Sequence, residues 1–199
     1  DNSSVLLLGI ACLFTGFLDG IHTLSYKGMG VFHGYGANLP TQLWVLARYI
    51  QSISFLAAAV LLKRSFRPSA AFGAYTAVTV LSLLSIFSWG IFPDCYIEGS
   101  GLTPFKIGSE YVISLIFLGS LGAFYALRQS FDRRIVGLII GSIVFNIAAE
   151  LSFTNYLGVY DFFNELGHLF KIAAYYLVYK AVIVTGLDKP YDLIFRNLR

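Results

Sequence analysis

Asp19 and His22 stand three residues apart, and Asn164, His168 and Lys171 follow one another at spacings of four and three. On a helix each set occupies one face. Arg48, Glu110, Glu150 and Glu165 are further ionisable residues set in strongly apolar surroundings. Carboxylates, imidazoles and cationic side chains in such places do one of three kinds of chemistry. They bind a ligand or ion, hold a metal, or move a proton. His22 and His168 are the candidates for bis-His ligation of haem between helices. With a carboxylate they are equally candidates for a divalent metal ion such as Zn²⁺ or Cu²⁺. His168 and Glu150 are the candidate acid and base of an enzyme acting on a membrane lipid or quinone. Neither metal reading has a close ligand spacing such as His-x-x-x-His behind it, and the sequence contains no nucleophile elbow, phosphate loop or Cys-pair metal motif.

The elements that position these residues follow from composition. The chain has 199 residues, 57% hydrophobic and 13% charged, with a mean hydropathy of +0.71. A soluble domain carries about 25% charged residues, so lipid must be the solvent for most of these side chains. The 18 Phe and 13 Tyr suit a bilayer with interfacial aromatic belts. Trp44 and Trp89, toward the outer ends of their runs, fit such a belt as well as a stacking role. Cys12 lies in an apolar run and Cys95 in a polar loop, so no internal disulfide is expected.

Apolar segments run over Val5–Tyr26, Leu39–Leu62, Ala70–Phe92, Ile107–Leu127, Ile135–Leu157 and Phe162–Thr185. Each approaches the ~20 residues that cross a hydrocarbon core, and lipid forces such runs to be helical. The expected fold is therefore all-α, a polytopic bundle of about six spans. Residues 1–186 form the transmembrane domain and 187–199 begin a cytoplasmic connector helix opened by Pro190. There is no internal repeat or low-complexity stretch. The sequence starts on Asp1 without the basic region and cleavage site of a signal peptide, and reads as an excerpt of a longer protein.

Lys63, Arg64, Arg67, Arg128, Arg133, Arg134, Lys189, Arg196 and Arg199 fall on one side, nine of the 14 basic residues. The opposite loops hold only Lys27 and Lys106. The positive-inside rule makes the first side cytoplasmic. At 1.5 Å per residue, Asp19, His22, Arg48, Glu110, Glu150, Glu165, His168 and Lys171 then all lie in the outer half of the bilayer. The inner half has no charged side chain before Lys180. An intramembrane charge costs about 2.5–3.5 kcal/mol at a helix centre, so groups on several helices are expected to converge on one polar cup, open outward and closed beneath. A transporter or pump needs polar groups along both halves of its path. Asp19, Glu110, Glu150 and Glu165 against Arg48 and Lys171 give four acids to two bases, which favours a cation or a protonated carboxyl. A bridge between Arg48 and Glu150, and a helix-end pair of Asp19 with His22, are the structural alternatives.

These residues carry a resemblance. Leu18-Asp19-Gly20-Ile21-His22 through Met29, Pro40-Thr41-Gln42-Leu43-Trp44 with Ala47-Arg48-Tyr49, Gly101-Leu102-Thr103-Pro104-Phe105-Lys106 with Ser109-Glu110-Tyr111, and Gly167-His168-Leu169-Phe170-Lys171 resemble the third type of bacterial membrane-associated sensor domain. The tail Lys189-Pro190-Tyr191-Asp192-Leu193 is similar to that family's exit. The resemblance implies a non-enzymatic sensory input domain in the bacterial cytoplasmic (inner) membrane. It implies a covalently attached cytoplasmic output module, a histidine kinase or a cyclic-di-GMP enzyme, often reached through a PAS domain. It also implies a further membrane segment ahead of Asp1. Such outputs act as dimers, so a homodimer is expected; the other partners are membrane lipid and a small molecule or ion, and no nucleic acid. The candidate ligand-binding set is Asp19, His22, Arg48, Glu110, Glu150, His168 and Lys171.

Overall fold

A computed structural model describes residues 3–61, 66–130, 132–154 and 161–183. Six long helices account for most of them: α1 Ser3–Leu24, α2 Asn38–Val60, α3 Pro68–Phe87, α4 Pro104–Ala126, α5 Arg133–Phe153 and α6 Phe162–Ile183. By length and composition α1 to α5 are apolar enough to cross a membrane. α6 has the length, 22 residues, but Asn164, Glu165, His168 and Lys171 lower its apolarity. The proposed connector and the ends of the second, fifth and sixth apolar runs lie outside the described residues.

The third run stops earlier than its hydropathy implies. Ser88 and Trp89 both donate backbone N–H groups to Leu84 O, and Ile91 and Phe92 donate to Ser85 O. These bonds close the last carbonyls of α3, and Gly90 takes the left-handed φ of 60° that turns the chain away. Trp89 and Ile91 are left exposed beyond the helix end.

α1, α2, α4, α5 and α6 pack in that succession, and α6 closes back on α1. α3 lies outside this ring against α1, with only Thr79 and Ile86 buried. α2 is the opposite case, with 17 of its 23 residues buried, so its side chains supply most of the centre. The half of the ring away from the α3–α4 connection is filled by Leu8, Phe55, Ile113, Phe117, Phe124, Ile139, Ile143 and Val178. Among the small polar groups there, Ser4 donates to Ala58 O at 2.7 Å and Ser142 to Ala174 O at 2.9 Å.

On the other side the α3–α4 connection carries a short hairpin, β1 Tyr96–Ile97 with antiparallel β2 Gly101–Leu102. Asn38 pins it to the start of α2. Its Oδ1 accepts the backbone N–H of Cys95 and Tyr96, and its Nδ2 donates to Asp94 Oδ1. Thr103 then starts α4: its hydroxyl donates to Asp94 O and accepts from the backbone N–H of Lys106, with Pro104 in the first turn. The placement of Lys106 follows from that cap.

Candidate functional site

The charged side chains form a network contributed by α1, α2, α4, α5 and α6. Arg48 of α2 is fully buried and bridges to Asp19 of α1 through Nη2. The other Asp19 oxygen accepts from the Tyr175 hydroxyl of α6 at 2.5 Å. Arg48 Nη1 donates to Tyr175 at 3.0 Å and to Gln51 Oε1 at 2.7 Å. That same Gln51 oxygen accepts from Lys171 Nζ at 3.2 Å, so one amide joins two cations. Lys171 also donates to Asn146 Oδ1 at 2.7 Å and to Glu150 Oε1 at 2.6 Å. On α4, Lys106 pairs with Glu110 one turn along. Glu110 and Glu150 lie against each other, and each leaves its Oε2 buried without a donor. One shared proton would give the pair the donor it lacks.

The convergence expected of Asp19, Arg48, Glu110, Glu150 and Lys171 is therefore present, but its charge balance differs. Glu165 points outward and is exposed. Lys106, read from sequence as a loop cation, is buried inside. Three cations face three carboxyls, so the expected excess of acid is absent. The pairing differs too. Arg48 takes Asp19 rather than Glu150, and His22 bonds the backbone of α2 rather than Asp19.

These five residues do not line the open cup. Above them lies a cavity of about 470 Å³ whose wall includes His22, His168 and Lys106, with Trp44 and Phe153 among its rings. Of the seven candidates, only His22 and His168 reach it. Trp44 divides the two regions. Its ring centroid is 5.4 Å from that of His22 and 5.6 Å from that of His168. The same ring carries Arg48 Cζ at 4.5 Å and Lys171 Nζ at 5.4 Å, cation–π contacts that belong to the network. Trp44 is thus a buried partition and not a belt residue. Phe153 completes the partition, 4.6 Å from Trp44 and 5.1 Å from His168. It approaches so closely because Gly167 has no side chain: a Cβ there would fall 2.5 Å from the Phe153 ring.

Sequence reasoning missed Lys106, Gln51, Tyr175 and the role of Trp44. The signal was available as helical spacing, since Lys106–Glu110 and Lys171–Tyr175 are i, i+4 pairs and Arg48–Gln51 an i, i+3 pair.

The chemistry open to the site is narrowed accordingly. Glu150 is buried on Lys171 and has no share in the cavity wall, so it does not form an acid–base pair there with His168. Among the described residues no three His, Cys, Asp or Glu side chains are grouped to hold a metal ion; the carboxylate that a Zn²⁺ or Cu²⁺ site on His22 and His168 needs is not in place. The two imidazoles do share one cavity, with a hydrogen-bonding face left open.

Neither the curated proteins nor the solved structures contain a match to this chain. The family model of MASE3, a membrane-associated sensor domain, matches residues 1–190. The match covers nearly the whole chain and all six helices, and the chain belongs to the MASE3 family of membrane-associated sensor domains.

Proposed function

We propose that this domain is the non-catalytic sensory input of a bacterial inner-membrane signalling protein. A small ligand enters the cavity from the outer side and settles over Trp44. The basic loops face the cytoplasm, and α6 carries the response to a covalently attached output module, a histidine kinase or a cyclic-di-GMP enzyme, in a homodimer.

The observation that supports this reading is the double contact of Trp44, with His22 and His168 on the cavity side and with Arg48 and Lys171 in the network. A ligand that moves this ring changes the environment of charges held by five helices at once. Two packings of such a network differ by whole ion pairs, so a modest difference in ligand affinity shifts the balance between them. Lys171 and Tyr175 place two of the network's groups on α6 itself, the helix nearest in sequence to an output module beyond Arg199.

The test uses the full-length protein in native membranes. His168→Ala alters the cavity and Lys171→Gln alters the network. Each is expected to change output activity about fivefold or more, the lower end of ordinary coupling between sites, with membrane insertion retained. Output unchanged in both variants would sink the reading.

A further inference from the structure

His22 has a fixed tautomer. Its Nδ1 lies 2.7 Å from Pro40 O, and a carbonyl oxygen only accepts, so Nδ1 carries the proton. In the neutral ring Nε2 is then an acceptor. It makes no hydrogen bond among the described residues, and His22 stands in the cavity wall. The cavity thus presents a built-in acceptor that asks its occupant for a donor.

The remaining lining says what kind of occupant. Trp44, Phe153 and His168 pack edge to face, and Tyr26 and Tyr96 add two more aromatic rings. Among the described residues the lining charges balance in number: Lys106 is held by Glu110, and Lys27 and Glu98 carry opposite signs. The described lining residues offer no net charge to an ion. A volume of about 470 Å³ is within the range of small-molecule sites, about 300–1,000 Å³.

We propose that the cavity binds an uncharged planar ring bearing a hydroxyl, of the phenol or hydroquinone class, which donates to His22 Nε2 while its face packs among Trp44, Phe153 and His168. The proposal rests on the cavity being the sensory site argued above and names the class of its ligand. It carries a discrimination within that class. A hydroquinone donates, whereas the quinone of the same ring only accepts, so the site prefers the reduced form.

Residues 1–199 hold two tryptophans; in the full-length protein in nanodiscs, with Trp89 and every tryptophan outside 1–199 replaced by Phe, Trp44 is the sole reporter. The probes are a methyl-substituted hydroquinone, its dimethyl ether and its quinone. Saturable quenching of Trp44 by the hydroquinone is expected, with the ether and the quinone binding at least about tenfold weaker, or 1.4 kcal/mol. In His22→Phe, which keeps a ring but no acceptor, the three probes should bind alike. An ether or quinone that binds as tightly as the hydroquinone overturns the donor assignment. If no probe quenches saturably while His168→Ala still changes output, the ring class is wrong and the sensory site stands. If His168→Ala and Lys171→Gln also leave output unchanged, it is the sensory reading that has failed.

Discussion

Trp44 and Arg48 lie one turn apart on α2, and the Arg48 guanidinium rests against the Trp44 ring, Cζ 4.5 Å from its centroid. Because the ring also borders the cavity, the proposed function makes this stack the place where a ligand meets the buried charges. Trp44→Ala removes a buried aromatic and opens the network to the cavity, at a cost of about 3–5 kcal/mol. Trp44→Phe keeps an aromatic ring over Arg48 and should cost clearly less. Thermal unfolding of the purified protein in detergent checks the order; equal losses in the two variants would show that the ring does not partition the site.

The bridge between Arg48 and Asp19 supports a second prediction. Removing one partner leaves the other buried without its counter-charge, which costs about 3–5 kcal/mol. Arg48→Met and Asp19→Asn should each be strongly destabilising, and the double variant should be much less so than the sum. Strict additivity would mean that the two side chains do not interact. Tyr175→Phe, which removes a hydroxyl shared by both, should cost about 1–3 kcal/mol.

The helices and the charges within them were legible in the sequence because an apolar run and a charge within it are both local signals. Pairing was not. Nothing local to Arg48 distinguishes Asp19 from Glu150 as its partner; the packing of α1 beside α2 decides it. Lys106 was misplaced because a lysine just after Pro104 reads as a loop residue until Thr103 is seen to cap the helix. Trp44 was read equally well as a belt residue because its depth is visible in sequence and its neighbours are not. The absence of side chain at Gly167, which admits Phe153, has no local signature at all.

Gly167 gives a third prediction. A methyl group at this position would meet Phe153 Cζ at 2.5 Å and Cε1 at 2.6 Å, so one helix must shift or the ring must turn. Overpacking of this kind costs about 1–3 kcal/mol. Gly167→Ala should lower the unfolding temperature, and Phe153→Leu placed on top of it should restore part of the loss. A double variant less stable than either single one would argue that the contact is not the cause.

The hairpin between α3 and α4 supplies the last prediction, through its thiol. Cys95 is fully buried beneath β1, and burial pushes its thiol up to about 12 from an ordinary 9.0. Only the thiolate attacks a maleimide, so in a Cys12→Ser background Cys95 should stay unlabelled at neutral pH from either side of the membrane. Ser100→Cys at the exposed hairpin turn, with Cys95 also replaced by Ser, should react with an impermeant maleimide added outside. Gln129→Cys, in the exposed turn after α4, should react only from the cytoplasmic side. Labelling of both from the same side would reverse the proposed placement of the loops. The pH dependence has a definite sign. The folded state holds the Cys95 proton more tightly than the unfolded state, so its contribution to stability is complete below pH 9 and is lost as the pH rises toward 12. Cys95 in the Cys12→Ser background should therefore become reactive only as alkali loosens the hairpin. Ready labelling at neutral pH would show that Asn38 does not hold that loop closed.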